Sequence, residues 1–469
     1  MNKKLRFILG PLLFAFAFIP YGGLALNIRL AFGTLAWMGF WWVTLPVSPA
    51  ITAFIPVGVN AVFNITKMSN ITGSFSAELI FLLAGANIIT MAWEATGVDK
   101  RIAARALSVV GTSVRQQVVI WLLLATCLSA FLPNTVVAAV LCSIAMSMLK
   151  YVGEGDVKHS SAASLIMLAI VWGANNGGMF TPLGGAMNLV TISYIEELIG
   201  GEFIYSDWVV RMLPFGLLVT LVSLVFLLRF KTDKKSLNGS KDYFQSICRS
   251  FGKLSGAGKA SLSLFIIATA LSFTRQLYQN WLPGLKPGYI FMICGGLVFL
   301  LKDENGKSVV SWKTAEQNMM WGLFFLFAGG TALGALVNGS GAAEVIAELF
   351  AKIIFSNTFL LVFIIVSLNV VLSDIVNNTA CAAVMIPIII SVVKGLGLPV
   401  MPYLWVATVS YNLSFTLPTS IRAIPIGYGL EPAYMFRRGL AVSVAMILAV
   451  SVLGWLCIEY WPAFATLTQ

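Results

Sequence analysis

The chain has 469 residues, of which 58% are hydrophobic and 10% are charged, and its mean hydropathy is +0.89. Soluble globular domains contain about 25% charged residues, so this composition excludes a soluble protein and predicts a polytopic α-helical membrane protein. The formal charge of +11 suggests nucleic-acid binding at first sight. However, the basic residues concentrate at the N-terminus and in segment 231–259, and such clusters are typical of cytoplasmic loops. We therefore expect no nucleic-acid partner and place both segments in the cytoplasm.

Apolar runs recur along the chain, separated by short polar stretches. By the usual measure of about 20 apolar residues per crossing, we expect one all-α membrane domain over 1–469 with about 11 transmembrane spans. The pattern in the first half predicts three apolar segments (7–21, 24–43 and 46–62), a helix at 77–96, a polar turn at 97–101, an apolar block at 117–149, a helix interrupted at 173–188 and a closing helix at 213–230.

The second half repeats this order after a basic linker at 231–259. We place repeat one at 46–230 and repeat two at 260–460. The second half is predicted to contain apolar segments at 262–277, 289–301, 319–337 and 342–354, an apolar block at 359–391, a helix interrupted at 411–424 and a closing helix at 439–455.

A constant spacing relates the two halves. The polar phrase Asn134-Thr135 recurs as Asn378-Thr379, 244 residues later. An internal duplication in an apolar chain is typical of transporters built from two repeats, and we expect the repeats to be inverted relative to each other. The same separation relates Ser129 to Ser373, Ala84-Gly85 to Ala328-Gly329, and Gly97 to Gly341.

The blocks 117–149 and 359–391 are long for a single crossing, and each has its polar phrase near the middle. Re-entrant hairpins with tips at 133–135 and 377–379 account for both features. Irregular backbone at membrane depth is tolerated only where protein or a water-filled cavity satisfies its hydrogen bonds. We therefore expect the two tips to meet in a polar pocket.

Glycine, proline and asparagine interrupt the helical pattern at 173–188, and segment 411–424 is its counterpart in the second half. A broken helix exposes N–H groups at the start of one half-helix and carbonyl groups at the end of the other. The N–H groups attract carboxylates and the carbonyl groups attract cations. The chain is therefore predicted to carry small anions.

These motifs resemble the divalent anion:sodium symporter family over about residues 46–440. The resemblance implies transport of di- and tricarboxylates, or of sulfate in some members, by homodimers whose transport domain moves like an elevator against a fixed scaffold. Besides the Asn-Thr phrases, it rests on Gly177-Gly178-Met179, Thr181, Gly184, Asn188, Asp207-Trp208, Leu213-Pro214-Phe215-Gly216, Phe327-Ala328-Gly329-Gly330, Leu333-Gly334 and Leu417-Pro418.

The resemblance also implies the site residues. In the family, the Asn and Thr of each tip hold the carboxylates of the substrate. The implied substrate contacts are Asn134, Thr135, Asn378, Thr379, Thr181, Gly184, Pro418, Thr419 and Arg422. If transport is coupled to sodium, the only cofactor that we consider, the implied ligands are Ser129, Asn134, Gly184 and Asn188 at one site and Ser373 and Asn378 at the other.

The chain departs from the family at the hairpin tips, in the segments 184–188 and 418–422 at the breaks, and in a charged residue near the second clamp. Pro133 and Asn377 replace the serines of the Ser-Asn-Thr tips, and Arg422 lies close to the second sodium clamp. An arginine at membrane depth costs at least about 2.5–3.5 kcal/mol unless it is paired, so it marks function. Arg422 could replace the charge of a sodium ion, pair with Asp374, or extend to a membrane surface.

The leading hypothesis is an elevator-type carrier in the plasma membrane that exchanges dicarboxylates of the succinate, malate, fumarate and 2-oxoglutarate class. Sodium symport of the same anions is the first alternative, and transport of sulfate or another oxyanion is the second. A cation/proton antiporter would use an intramembrane carboxylate, for which Asp374 is the candidate. The single histidine, His159, lies in a polar connection, so the sequence has no constellation for an intramembrane enzyme.

Overall fold

A computed structural model describes residues 3–20, 22–109, 111–351 and 357–467. All named elements of these residues are helical. The N-terminal part packs α1 against α2 and ends in three short helices, so the predicted segment 46–62 is divided rather than continuous. Its helices are α1 (Lys3–Ala15), α2 (Leu26–Thr44), α3 (Pro49–Thr52), α4 (Ile55–Phe63) and α5 (Met68–Gly73).

The first half then forms a series of seven helices that contains a helical hairpin and a broken helix. The hairpin is α8 and α9, and the break lies between α10 and α11 around a 3-10 turn at Pro182–Gly184. The helices are α6 (Glu78–Thr96), α7 (Val98–Leu107), α8 (Val114–Ser129), α9 (Asn134–Tyr151), α10 (Ser161–Gly177), α11 (Ala186–Ile199) and α12 (Tyr205–Arg229).

The predicted linker is not wholly irregular, because α13 (Ser240–Ser250) lies within it and packs on α7 and α9. Three helices follow, namely α14 (Gly256–Phe273), α15 (Pro287–Val298) and α16 (Trp312–Asn318). The last seven are α17 (Trp321–Ser340), α18 (Ala342–Ala351), α19 (Thr358–Ile375), α20 (Asn378–Gly395), α21 (Val400–Tyr411), α22 (Ala423–Gly427) and α23 (Pro432–Tyr460).

The second half repeats the helix order of the first. Helices α7, α8 and α9 begin 244 residues before α18, α19 and α20, respectively. Gly97 and Gly341 precede α7 and α18 with φ of 69° and 81°, a left-handed conformation that favours glycine. The predicted polar turn at 97–101 is therefore wrong beyond Gly97. The predicted helix 342–354 is described as far as Ala351, and the rest lies outside the described residues.

Eight of the described helices are long and apolar enough to cross a membrane, which makes the chain a multi-pass membrane protein. They do not confirm the predicted number of about 11 spans. Three shorter apolar helices, at Pro49–Phe63, Val114–Ser129 and Pro287–Val298, contribute less than a full crossing each.

Glycine allows the first repeat to approach α15 closely. A Cβ atom added to Gly85 on α6 would lie 2.1 Å from the carbonyl oxygen of Phe291, and one added to Gly295 would lie 2.8 Å from the Cα atom of Gly85. Small residues are typical of such contacts, because helix association in membranes depends on close packing.

We expect Gly85→Ala to lower the free energy of unfolding by about 1–3 kcal/mol, because backbone rather than a flexible side chain fills the space. Thermal unfolding of the detergent-purified protein measures this loss. Gly296→Ala on α15 is the matched control, since nothing lies within 4 Å of the added Cβ atom. Equal unfolding temperatures of the two variants would contradict the packing argument.

Candidate functional site

A cavity of about 540 Å³ lies between the two hairpin tips. One tip contributes 133–135, the other contributes 375–379, and the broken helices contribute 185–187 and 418–420. The remaining wall comes mainly from α3, α6 and α17 and the residues that precede them. None of the described residues that line this cavity is charged. The tips predicted from the repeated phrase are therefore brought together around one space.

Three helices begin at the wall of this cavity. They are α9, which starts at Asn134, α20, which starts at Asn378, and α11, which starts at Ala186. The first N–H groups of a helix have no partner within the helix, and its dipole places partial positive charge at this end. Convergent helix starts therefore form an anion site without a charged side chain in its wall.

The two tips differ in how firmly they are held. Asn134 is half-buried, and its side chain has one long contact of 3.5 Å with the Thr135 hydroxyl. Asn378 is buried, donates to Oδ1 of Asn175 at 3.2 Å and accepts from the Ser414 hydroxyl at 3.1 Å. The first tip thus presents an open amide to the cavity, whereas the second has committed much of its amide to the protein.

Asn175 connects the broken helices of the two halves. Besides accepting from Asn378, it donates to the carbonyl oxygens of Asn412 and Ser414, the latter at 3.3 Å. Asn412 in turn donates to Oδ1 of Asn188 at 3.5 Å. All these groups are buried, and the polar groups of the two breaks supply hydrogen-bond partners to one another, although the Oδ1 atom of Asn412 has none. Asn175 belongs to the predicted break, but the sequence did not distinguish it as the central residue.

Each break contains a 3-10 turn, and the two turns correspond to each other. They lie at Pro182–Gly184 and Ser420–Arg422. The residue before each turn is a threonine in extended conformation, and its hydroxyl supports the nearby hairpin. Thr181 donates to the carbonyl oxygen of Ala130, and Thr419 donates to that of Asp374 at 3.0 Å. Because Ala130 and Asp374 are 244 residues apart, the two hydrogen bonds are equivalent.

Gly184 in the first half is therefore equivalent to Arg422 in the second, since each is the third residue of its turn. A Cβ atom on Gly184 would lie 2.5 Å from the carbonyl oxygen of Gly178 and 2.8 Å from that of Ser129. Carbonyl oxygens of unwound backbone are the ligands that sodium takes in transporters. The first half therefore has a carbonyl-lined corner that fits a cation.

The same corner of the second half holds the guanidinium group of Arg422, which is fully buried. Its Nη2 atom lies 3.4 and 3.3 Å from the carbonyl oxygens of Ser373 and Asp374, and Nε donates to that of Leu417 at 2.6 Å. Nη2 is also 3.6 Å from the Asp374 carboxylate. The interpretation that Arg422 extends to a membrane surface is therefore wrong. A sodium ion does not fit where these carbonyl groups already accept from an arginine.

Not every predicted site residue reaches the cavity. Thr181, Gly184 and Arg422 lie behind its wall, because their contacts are with the backbone that supports the tips. Asn188 donates to the carbonyl oxygens of Gly178 and Thr181 at 2.6 and 2.9 Å, so its amide braces the break. Those that do line the cavity are Asn134, Thr135, Asn378, Thr379, Pro418 and Thr419.

Asn87 is a cavity residue that the sequence analysis missed. It lies within α6, is 5% exposed, and its Oδ1 atom is buried without a hydrogen-bond partner. The signal that could have revealed it is a lone amide within the apolar run 79–92. Two further lining residues, Leu45 and Ser420, have positive φ of 49° and 52°, strain of the kind that clusters at functional sites.

Asn377, which stands where the family has a serine, caps the start of α20 with its side chain. Its Oδ1 atom accepts from the N–H of Ala380 at 2.8 Å, whereas Pro133 offers no side-chain acceptor to α9.

We expect Asn377→Ala to lower the free energy of unfolding by about 1 kcal/mol, because the cap is lost, while Asn377→Ser retains the cap. Thermal unfolding in detergent measures both, with Pro133→Ala as the control without a side-chain cap. If Asn377→Ser destabilised the protein as much as Asn377→Ala, the capping role would be excluded.

Helix starts around a cavity without charged lining residues, in a chain whose described residues include eight apolar helices long enough to cross a membrane, define a membrane transporter. The fold is similar to that of the YdaH transporter of Alcanivorax borkumensis, with a TM-score of 0.58 and 14% identity over 87% of this chain and 90% of that one. It is also similar to MtrF of Neisseria gonorrhoeae, from a class of antimetabolite efflux pumps, with a TM-score of 0.53 and 12% identity over 90% and 96%.

The chain belongs to the citrate transporter family, which it matches over residues 39–410. Its relatives include sodium-dependent dicarboxylate transporters called SdcS. That of Staphylococcus saprophyticus is 26% identical over 447 residues, which cover 92% of this chain and 86% of the relative. That of Staphylococcus aureus is 24% identical over 452 residues, which cover 91% and 86%. The predicted relation to the divalent anion:sodium symporters is confirmed, and so is the expectation that the chain is not an enzyme.

Proposed function

We propose that this protein is a secondary active transporter of C4–C5 dicarboxylates of the succinate, malate, fumarate and 2-oxoglutarate class. The observation that carries the proposal is the convergence of helix starts and side-chain amides on one cavity. The volume of about 540 Å³ is within the range of small-molecule sites. Two helix starts on opposite tips suit a substrate with a carboxylate at each end.

The neutral wall suits a carrier, which must release what it binds. A hydrogen bond to a charged group contributes about 1.5–3 kcal/mol, so several of them hold a dianion without the strength of a buried ion pair. Asn134 and Thr135 are the most available donors, because the amide of Asn378 is already engaged. We assign binding mainly to the first tip and shape mainly to the second.

The names of the relatives favour dicarboxylates over sulfate, which remains the alternative cargo. A sulfate ion has no second anionic group to meet the second tip. Competition between labelled succinate and unlabelled sulfate or fumarate separates the two cargoes, since only a true substrate displaces the label.

We expect Asn134→Ala to weaken uptake of labelled succinate into proteoliposomes by about 10–100-fold, because one hydrogen bond to a carboxylate is lost. The matched control is Asn357→Ala, whose side chain accepts from the N–H of Leu360 at 3.3 Å and does not line the cavity. Equal uptake by the two variants would remove the first tip from the binding site.

Arg422 favours exchange of one dicarboxylate for another. Its guanidinium group supplies a permanent positive charge where an ion would otherwise bind. The Asp374 carboxylate, 3.6 Å away, offsets part of that charge, and the Nη1 atom is buried without a hydrogen-bond partner. A buried charge with incomplete hydrogen bonding is costly, and a dianion beside Thr419 offsets that cost. The loaded carrier should therefore change conformation more readily than the empty one.

Sodium symport is the second candidate, and the carbonyl corner around Gly184 favours it. This corner would hold a sodium ion through backbone carbonyl oxygens, such as those of Ser129 and Gly178. The ion would supply positive charge near the first tip. The sodium dependence of the relatives agrees with this candidate. The side chains of Ser129 and Asn188 are engaged with backbone carbonyl groups, so they are poor ligands as they stand.

A proteoliposome assay distinguishes the two mechanisms. We expect internal succinate to stimulate uptake of labelled succinate without a sodium gradient, by about tenfold or more for a coupling near 1.4 kcal/mol. Arg422→Ala should abolish this exchange or make it depend on sodium, whereas Arg437→Ala, at an exposed arginine, should leave it unchanged. Strict sodium dependence without stimulation by internal substrate would establish symport instead.

We further infer an elevator motion, a homodimer, the plasma membrane as location, and a cytoplasmic N-terminus and 231–259 segment. The basic residues of that segment support the orientation. A cation/proton antiporter receives no support, because its candidate carboxylate, Asp374, accepts from the N–H of Thr416 at 3.0 Å and faces Arg422.

A further inference from the structure

A second cavity, of about 620 Å³, lies where α12 ends, and it shares no residue with the central cavity. Its lining combines basic and apolar residues with two hydroxyl groups, those of Ser113 and Thr232. The basic residues are Arg115, Arg229, Lys231 and Lys235, and the apolar ones are Val114, Val118, Leu165, Leu227, Leu228 and Phe230.

The four basic side chains of this cavity are available to an anion. No carboxylate is among its lining residues, and within the described part of the chain none of the four forms an ion pair. The neighbouring acidic groups are engaged elsewhere. Glu154 pairs with Lys234, which holds the pKa of that carboxyl below its usual range, and Asp233 accepts from the Ser161 hydroxyl at 2.9 Å.

The backbone holds this cationic group in place. The N–H of Val114 donates to the carbonyl oxygen of Lys235 at 3.0 Å, and the N–H of Leu237 donates to that of Thr112 at 2.7 Å. These bonds fix residues 235–237 against the start of α8. The cations therefore come from two separate stretches that the fold brings together, the start of α8 and residues 229–235, rather than from one mobile tail.

An apolar stripe leads along α12 to the same cavity. Leu213, Leu217, Leu221 and Val225 are exposed and follow each other at intervals of four residues, and Arg229 continues the series. Residues four apart are neighbours on the surface of a helix, so these side chains form a continuous stripe that winds gradually around α12. Because α12 is long and apolar enough to cross a membrane, we expect this exposed stripe to meet lipid and Arg229 to reach the polar boundary.

We propose that this cavity binds the anionic headgroup of a phospholipid whose acyl chain lies along the α12 stripe. Basic pockets at the ends of membrane helices recognise such headgroups, and each Lys or Arg near the surface adds about 1 kcal/mol. A free phosphate ion would use the cations but not the stripe. The combination of both features therefore favours a lipid.

Native mass spectrometry of the detergent-purified full chain tests this site, with phosphatidylglycerol as the anionic probe and phosphatidylcholine as the neutral one. We expect retention of phosphatidylglycerol in preference to phosphatidylcholine. The double variant Arg115→Gln, Lys231→Gln should weaken that retention by about 30-fold, as two cations are lost. Lys241→Gln, Arg249→Gln is the matched control, since it removes the same charge from exposed positions of α13 outside the cavity.

A second pair, Arg229→Gln with Lys235→Gln, repeats the test should the first variant fail to fold. Weaker retention in either cavity pair, with the control pair unchanged, supports the site. Equal retention by cavity and control variants overturns it. Binding of inorganic phosphate without retention of phosphatidylglycerol, or equal retention of phosphatidylcholine, also overturns it, because the cavity would then be a phosphate site or a general lipid contact.

Discussion

The architecture depends on the requirement that every polar backbone group exposed by a helix break inside the membrane must find a partner within the protein. Asn175 meets much of this requirement, because it contacts the second hairpin tip and two carbonyl groups just after the end of α21, where the opposite break begins. Through this one amide, the two halves close on each other at the point where their helices stop. The cavity beside it can then be polar without leaving the surrounding backbone unsatisfied.

The duplication provides symmetry in layout but not in chemistry. Equivalent threonine hydroxyls support equivalent hairpins, and equivalent glycines precede α7 and α18. The two tips nevertheless differ, since the amide of Asn134 faces the cavity and that of Asn378 is held by its neighbours. A site with one adaptable side and one fixed side can accept ligands of slightly different length, because only one side needs to adjust.

Much of the plan could be predicted from sequence, because it depends on spacing. The interval of 244 residues identified both tips, and glycine and proline identified both breaks. Burial and hydrogen bonding could not be predicted in this way. Gly184 and Arg422 are 238 residues apart, so their equivalence is hidden by the different lengths of the loops and appears only when the two 3-10 turns are compared. The role of Asn175 likewise depends on contacts more than 200 residues away in the chain.

The burial of Arg422 has a bioenergetic consequence. A positive charge that belongs to the chain does not cross the membrane as a free ion does. It therefore contributes no free energy from an ion gradient. If the second half of the carrier works in this way, accumulation of one metabolite is driven by the outward flow of another. The metabolic output of the cell then determines which way the carrier runs.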